Sequence, residues 1–309
     1  MTDRRARMVF LGSGAFAVPA LRATLVHPDV ELVGVVTAPP RPAGRRGQSG
    51  STPVAGAAPA GVPLLTPPRL REPAAIAGVL DLRPELVVLA DYGQIVPAPL
   101  LGLPHGALNL HPSLLPRHRG ATPIPAAILA GDTLTGVTLM RMDEGLDTGP
   151  IIAHTRWALD GTEIAPDLEA LLADEAAALL SASLGPWLRG ELPARPQSEH
   201  GATVTRRLRR ADGRLDPGRP AVELERQVRA YQPWPGTFVE TGEGRVAVLQ
   251  AGLEVPAAEV VPPGTLTPDG LVTADGILAL HEVRPAGGRA MPWAAYLRGH
   301  PGVVGSSVT

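Results

Sequence analysis

The sequence of 309 residues contains no cysteine. It can therefore form no disulfide bond, and it offers neither a thiolate nucleophile nor a zinc site with cysteine ligands. Every apolar run is much shorter than the roughly 18 residues that a transmembrane helix needs. Residues 1–7 lack the apolar core and the cleavage site of a signal peptide. These absences predict a soluble chain of the cytoplasm, which is a reducing compartment.

Lysine is also absent, and asparagine occurs once, as Asn109. So strong a composition bias would remove most asparagines by drift. The one asparagine that remains is therefore a candidate for a functional role. A hydrophobic fraction of 44% with 19% charged residues excludes wholesale disorder. The formal net charge of -2 excludes a surface that is basic all over, so any basic surface must be local.

Apolar runs alternate with segments of helical spacing through residue 188. The runs predict strands at 7–11, 30–37, 62–65, 85–90, 107–110 and 136–140, with helices at 16–26, 73–82, 122–130 and 164–188. Residues 38–52, rich in Pro, Gly and Arg, predict a long loop. This alternation indicates an α/β domain with a Rossmann-like, mostly parallel sheet. Ligands of such sheets bind outside the carboxyl ends of the strands.

The pattern changes after a polar, Pro-rich stretch. A helix at 221–230 precedes short alternating runs at 237–241, 245–250, 264–267, 271–274 and 277–283. Several short strands separated by turn residues predict a small OB-like β-barrel. We therefore expect a first domain over 1–189, a linker over 190–206 and a C-terminal barrel domain over 207–309.

The first strand ends in a glycine-rich turn. Residues 12–17 fit the G-x-G-x-x-A variant of the dinucleotide-binding fingerprint, between a strand and a helix. The fingerprint also requires an acidic residue, or a basic substitute, at the end of the second strand, which here ends in Val36 and Thr37. The match to the dinucleotide-binding fingerprint is therefore only half complete. Glycines for a tight turn remain the alternative to a nicotinamide cofactor site.

The densest group of chemically active residues lies at 109–120. Asn109 and His111 are two residues apart on a strand, so both side chains point to one face at its carboxyl end. The asparagine amide is a neutral donor for an oxyanion, and histidine can take or give a proton. A capping asparagine and a histidine at the edge of the core are the alternative.

A second candidate loop covers residues 142–150. Gly145 and Gly149 bracket Asp147, and these glycines would allow the backbone to approach a ligand. Asp147 is the best candidate for an acid or base, although Asp-Thr-Gly is also common in structural Asx-turns. Aspartic proteases share Asp-Thr-Gly, but they need two such loops in an all-β fold.

Together these motifs resemble a known family. Asn-x-His-x-Ser-Leu-Leu-Pro-x-x-Arg-Gly at 109–120, followed by Gly-Leu-Asp-Thr-Gly at 145–149, is similar to the formyltransferases that use 10-formyltetrahydrofolate. Residues 9–17, 37–47, 229–236, 276–278 and 285–291 resemble the members that act on methionyl initiator tRNA. The chain departs from the family pattern in three ways, one of which is that positions often filled by Lys in relatives are Arg or neutral here. Ser13-Gly14-Ala15 replaces Thr-Pro-Asp or Thr-Pro-Glu, and Asp91 stands where relatives often have Ala.

The resemblance implies a one-carbon transfer to the α-amine of the methionyl group on initiator tRNA, with no metal. Asn109 would stabilise the formyl oxygen, His111 would move the proton, and Asp147 would orient the imidazole. The folate would contact Leu89, Tyr92, Gly93, Ser113, Leu114, Leu115, Pro116, Asp143, Gly145 and Leu146. The tRNA would contact Arg41, Arg45 and Arg46 in the loop after the second strand and Arg206, Arg207, Arg209 and Arg210 at the linker. Neither a membrane nor a protein partner is implied.

Three other functions stay open at this point. A folate-dependent formyltransferase of a small amine, such as an amino-sugar nucleotide or glycinamide ribonucleotide, would lack a use for the Arg-rich loop. A nicotinamide-dependent oxidoreductase would lack its acidic ribose ligand. A non-catalytic RNA-binding protein, with the barrel as its working part, would leave Asn109, His111 and Asp147 without a shared purpose.

Overall fold

A computed structural model describes residues 5–43, 48–254 and 261–308 of the chain. The chain divides into two compact units. The first, here called the parallel-sheet unit, comprises Met1–Pro123, Leu134–Ala158 and Leu168–Arg206. The second, here called the barrel unit, comprises Ile124–Thr133, Leu159–Asp167 and Arg207–Thr309.

Many of the regular elements are short, whereas the helix Ala165–Leu188 spans 24 residues. Up to residue 205, the described strands are β1 (Ala6–Gly12), β2 (Val30–Val36), β3 (Arg41–Ala43), β4 (Gln48–Gly50), β5 (Leu64–Leu65), β6 (Leu86–Ala90), β7 (Ala107–His111), β8 (Arg119–Gly120), β9 (Leu134–Thr135), β10 (Thr138–Arg141), β11 (Ile151–His154), β12 (Trp157–Ala158) and β13 (Val204–Thr205). The helices over the same span are α1 (Ala17–Leu25), α2 (Pro53–Ala57), α3 (Pro73–Leu80), α4 (Ala98–Leu101), α5 (Pro123–Ala130) and α6 (Ala165–Leu188).

A mostly parallel sheet organises the first unit. In the described part of the chain it has seven strands in the order β11-β10-β7-β6-β1-β2-β5. The pairs β7-β6, β6-β1, β1-β2 and β2-β5 are parallel, while β10 runs antiparallel to β7 and to β11. Every residue of β6 and β7 is buried, because a sheet covered on both faces excludes water from its central strands.

The structure corrects two local predictions. Part of the long loop expected over 38–52 forms an antiparallel pair, in which Arg41 lies opposite Gly50. The run at 264–267 is not a strand, since Thr265 and Leu266 make only isolated bridges. Strands of only two or three residues are too short to show an alternation of apolar and polar residues. The sequence therefore carries no pattern that predicts them. Residues 44–47 lie outside the described part of the chain.

The barrel unit follows with α7 (Ala221–Ala230), the strands β14 (Thr237–Thr241), β15 (Gly244–Glu254), β16 (Gly270–Val272), β17 (Ile277–Pro285) and β18 (Met291–Pro292), and α8 (Trp293–Gly299). Its strands are antiparallel in the order β14-β15-β17-β16, and β18 pairs with β17. Leu224 and Val228 of α7 pack into a core with Val246, Leu278 and Trp293.

The predicted fold class is confirmed. A mostly parallel α/β sheet precedes a small antiparallel half-barrel. Within the described ranges, no helix has the length and apolarity that would let it cross a membrane.

Candidate active site

Asn109 and His111 lie where β7 reaches its carboxyl end, and both side chains are almost completely buried. The strand is fixed on both sides, because β6 pairs with it in parallel and β10 pairs with it antiparallel. Two residues on one face of a rigid strand hold their relative position closely. The spacing in the sequence therefore translates directly into a paired amide and imidazole.

Asp147 joins them from the loop that precedes β11. The side-chain amide of Asn109 donates to Asp147 Oδ1 over 3.3 Å, and the backbone N–H of Gly120 donates to Asp147 Oδ2 over 2.7 Å. The same Oδ2 lies 3.7 Å from Nδ1 of His111. Asp147 is in the left-handed region, at φ 52°, which an aspartate tolerates better than most residues do. The fold thus brings together the three residues predicted to be catalytic.

The ring nitrogens of His111 have different environments. Nε2 lies 2.8 Å from the carbonyl oxygen of His118. A carbonyl oxygen can only accept, so we assign the proton of the neutral ring to Nε2. The lone pair is then on Nδ1, the atom that faces Asp147. Burial lowers the pKa of His111, whereas the charge of Asp147 and the hydrogen bond to His118 raise it, and burial is the larger effect.

The glycines and the first aspartate of the 142–150 loop have local uses. Asp143 accepts hydrogen bonds from the backbone N–H of Gly145 over 3.0 Å and from the hydroxyl of Thr148 over 2.8 Å. A Cβ on Gly149 would collide with the carbonyl oxygen of Arg141. The expectation that Gly145 and Gly149 let a ligand approach stays a prediction, and the structure adds a use for both within the loop. They fold the loop that carries Asp147, and the Asx-turn belongs to Asp143.

The residues expected to contact folate have different environments. Leu89 in β6 and Leu115 in the segment after β7 are buried, whereas 60% of Leu146, the neighbour of Asp147 in the chain, is exposed. Ser113 donates its hydroxyl to the carbonyl of Arg117. Of the remaining residues in this set, Leu114 and Pro116 are half-buried, and Gly93, Asp143 and Gly145 are exposed.

Tyr92 differs from the other residues of that set. Its ring packs in the core of the parallel-sheet unit, and burial raises its pKa to about 12. Its hydroxyl is buried and has no hydrogen-bond partner among the described atoms.

The glycine-rich turn after β1 is closed by the chain itself. The backbone N–H groups of Ser13 and Gly14 both donate to the carbonyl of Asp91, over 2.9 and 3.3 Å. A Cβ on Gly14 would collide with Oδ2 of Asp91. Solvent reaches Asp91, yet surrounding protein displaces much of the water from its carboxyl group. This burial and the nearby charge of Glu169 raise the pKa of Asp91 to about 6.

A carboxylate at this turn opposes a bound pyrophosphate, since the charges repel and the two N–H groups are already bonded. The departures from the family pattern at Gly14 and Asp91 also explain each other, because the carboxylate of Asp91 requires a glycine at position 14.

The described part of the chain contains only some of the arginines that are expected to contact tRNA. Arg41 belongs to β3, and Arg45 and Arg46 lie outside the described residues. Arg206, Arg207, Arg209 and Arg210 are exposed. The described ranges contain no cluster of three or more His, Asp or Glu that could hold a metal ion.

Three groups next to the site were missed by the sequence analysis: the carbonyl of His118, the N–H of Gly120 and the side chain of Gln197. Two of them are backbone atoms, for which a sequence carries no signal. Gln197 donates to the carbonyl of Asp147 over 2.8 Å, although it is 50 residues away within the expected linker.

Comparison with known proteins identifies the class. The family model described as Formyl transferase matches residues 6–184, and the one described as Formyl transferase, C-terminal domain, matches residues 207–301. The chain therefore belongs to the formyl transferase family, which confirms the family prediction.

The relatives carry a more particular name. The methionyl-tRNA formyltransferase of Chloroflexus aurantiacus (strain ATCC 29366 / DSM 635 / J-10-fl) is 43% identical over 301 residues, which cover 95% of this chain and 96% of the relative. That of Myxococcus xanthus (strain DK1622) is 42% identical over 306 residues, which cover 98% and 97%. The solved N-formyltransferase from Helicobacter canadensis, in complex with folinic acid and dTDP-3-aminofucose, superposes with a TM-score of 0.63 at 16% identity, over 89% of this chain and 99% of that one. The last likeness concerns the fold alone.

Proposed function

We propose that this chain transfers the formyl group of 10-formyltetrahydrofolate to the α-amine of methionyl initiator tRNA, giving formylmethionyl-tRNA for translation initiation. The observation that carries the proposal is the convergence of Asn109, His111 and Asp147 at the end of β7. Relatives named methionyl-tRNA formyltransferase that match over nearly the full length support the choice of acceptor.

The first requirement of the reaction is a donor for the formyl oxygen, which gains negative charge as the amine attacks. A side-chain amide has two N–H groups, and Asn109 uses one toward Asp147. The second is the natural donor to the oxygen. Because Asn109 is buried and held on a strand, it needs little reorganisation during the reaction.

The second requirement is a proton carrier. The attacking nitrogen must lose a proton, and the nitrogen of the leaving group must gain one. Nδ1 of His111 has a lone pair when the ring is neutral, and burial keeps the ring neutral near pH 7 by lowering its pKa. Once Nδ1 is protonated, Asp147 stabilises the new charge across 3.7 Å.

The residues at this edge of the sheet fit a folate as formyl donor. A planar heterocycle needs apolar walls and a few polar groups that fix its orientation. Leu89, Leu115 and the exposed Leu146 supply the apolar part. The buried hydroxyl of Tyr92, which has no partner among the described atoms, is a polar group nearby in the same core. No metal is needed for this chemistry.

For the tRNA we propose that the exposed arginines at 206–210 contact phosphates, with the barrel domain, residues 207–309, as a second contact surface. In the barrel unit, the guanidinium of Arg210 lies 5.7 Å from the ring centroid of Trp234, and 52% of Trp234 is exposed. An exposed aromatic ring beside an arginine is a typical partner for nucleic-acid bases. We propose the cytoplasm as the place of the reaction, because initiator tRNA is charged and used in translation there.

The test is a formylation assay with 10-formyltetrahydrofolate and three separate acceptors: charged initiator tRNA, charged elongator methionine tRNA and free methionine. We expect product on the initiator tRNA alone. Folate binding without product on any of the three would favour a small-amine formyltransferase, and absence of folate binding would overturn the assignment to folate chemistry.

A further inference from the structure

The loop that carries Asp147 is held by Gln197, a side chain from the segment expected to be a linker. Nε2 of Gln197 donates to the carbonyl of Asp147 over 2.8 Å and to the carbonyl of Gly149 over 2.7 Å. Its Oε1 accepts from Arg119, over 3.0 Å from Nε and 2.9 Å from Nη2. Since carbonyls only accept and guanidinium groups only donate, the orientation of the amide is unambiguous.

Arg119 links this amide to the other support of Asp147. Its side chain is buried, and its neighbour Gly120 donates the backbone N–H that binds Asp147 Oδ2. Asp147 is thus held at both ends, by Gly120 and Asn109 at its carboxylate and by Gln197 at its carbonyl. The outer partner of Arg119 is Glu199, whose side chain is 80% exposed.

These contacts maintain a backbone conformation that is unfavourable by itself. Asp147 has a φ of 52°, and non-glycine residues keep such angles only where the surroundings impose them. Without the two hydrogen bonds from Gln197, the loop is free to relax toward negative φ. The carboxylate would then leave its place beside Nδ1 of His111.

We propose that Gln197 is a positioning residue for formyl transfer, which acts through Asp147 by fixing the distance between its carboxylate and His111. The inference rests on the proposed function. Gln197 touches neither reacting group, so its loss changes the chemical step more than the binding of either substrate.

The main test replaces Gln197 by a side chain of similar length without polar hydrogens. We expect Gln197→Met to lower kcat about 10- to 100-fold, because a displacement of about 1 Å can cost 100-fold. KM for the folate and for the tRNA should change less than about threefold. Gln197→Glu keeps an acceptor for Arg119 but loses both donors, so it should fail in the same way. A glutamate variant with wild-type kcat would overturn the proposal.

A double-mutant cycle separates positioning from general stability. In an Asp147→Asn background, Gln197→Met should cause no further loss of kcat. An additional loss equal to that in the wild-type background would show that Gln197 acts elsewhere. The matched control is Glu199→Gln, which removes the charge of an 80% exposed side chain but keeps a hydrogen-bond acceptor for Arg119, and it should retain kcat within about twofold. Thermal melting of each variant verifies that it is folded.

NMR titration of the His111 ring gives a readout that does not depend on turnover. The charged or titratable groups that act on this ring are Asp147, which raises its pKa, and His118, whose charge lowers it. Displacing Asp147 should therefore lower the pKa of His111 in Gln197→Met. An unchanged pKa would contradict the proposal. If the wild-type protein formylates no acceptor, the proposed function fails, but this titration still tests the contact.

Discussion

Two places at the carboxyl end of the same sheet carry motifs typical of ligand sites, and their hydrogen-bonding groups are used differently: the glycine-rich turn after β1 and the end of β7. In the glycine-rich turn after β1, the N–H groups of Ser13 and Gly14 donate to the carbonyl of Asp91, and the Asp91 carboxylate occupies the space above Gly14. At the end of β7, by contrast, one amide N–H of Asn109 and the Nδ1 lone pair of His111 have no fixed hydrogen bond to the chain in the contacts described above.

This difference is the reason why the proposed function uses the end of β7 and not the glycine-rich turn. Glycines and polar residues can serve either the chain or a substrate, and the pattern of residue types is the same in both cases. What distinguishes them is whether the hydrogen-bonding groups are still available after folding. Substitutions in the glycine-rich turn and at the end of β7 test this comparison.

The largest effect is expected at the β7 edge. Asn109→Ala should lower kcat by about 10²–10³-fold, because it removes a fixed donor to the formyl oxygen. The measurement is steady-state formylation of initiator tRNA, with folate binding by fluorescence as the control for an intact fold. A loss below about fivefold would mean that Asn109 has only a structural role.

At the glycine-rich turn the expected effect is on stability. Gly14→Ala should reduce the free energy of unfolding by roughly 1–3 kcal/mol, because its methyl group collides with the Asp91 carboxylate. In an Asp91→Ala background the same change should cost much less. Urea denaturation of the four proteins in the cycle measures the coupling. Equal costs in both backgrounds would refute the explanation of the paired departures.

A smaller effect concerns the charge of Asp91. Its pKa is about 6 in the folded protein, above the 3.8 of an unperturbed aspartate, so the folded state binds a proton more readily. The favourable contribution is complete below pH 3.8 and is lost as the pH rises through 6. Asp91→Asn should therefore stabilise the protein at pH 8, by about 1 kcal/mol after allowance for solvent screening. Asparagine tolerates the positive φ of 43° at this position.

Melting temperatures of the wild type and Asp91→Asn between pH 4 and 8 provide the measurement. The advantage of the variant should fade as the pH falls from 6 to 4. A difference independent of pH would show that the charge is not its cause.

The smallest change is expected in the titration of His111. Its pKa should lie below 6.5, because burial is the dominant effect. Asp147→Asn should lower it further, because that substitution removes the charge that favours the imidazolium. NMR of the ring carbons follows both proteins without substrate. A rise of the pKa in the variant would contradict the assigned contact between Nδ1 and Asp147.

Much of the candidate site follows from local spacing. Asn109 and His111 share a face because side chains alternate along a strand, and they lie at its carboxyl end because the apolar run stops there. The glycine-rich loop around Asp147 was recognisable, although its glycines serve the loop itself. The backbone carbonyl of His118 and the N–H of Gly120 had no signal, since every residue has these groups. Gln197 had none because its partners are distant in the sequence.

The sequence by itself determined the alternation of strands and helices, the change to short antiparallel strands and the family, since each depends on local periodicity or on contiguous motifs. Only the tertiary structure decided which polar groups remain available. Asp91 closes one loop and Gln197 supports another through contacts that join distant segments. Such contacts depend on how the chain packs, because a hydrogen bond is set by the positions of two groups and not by their order in the chain.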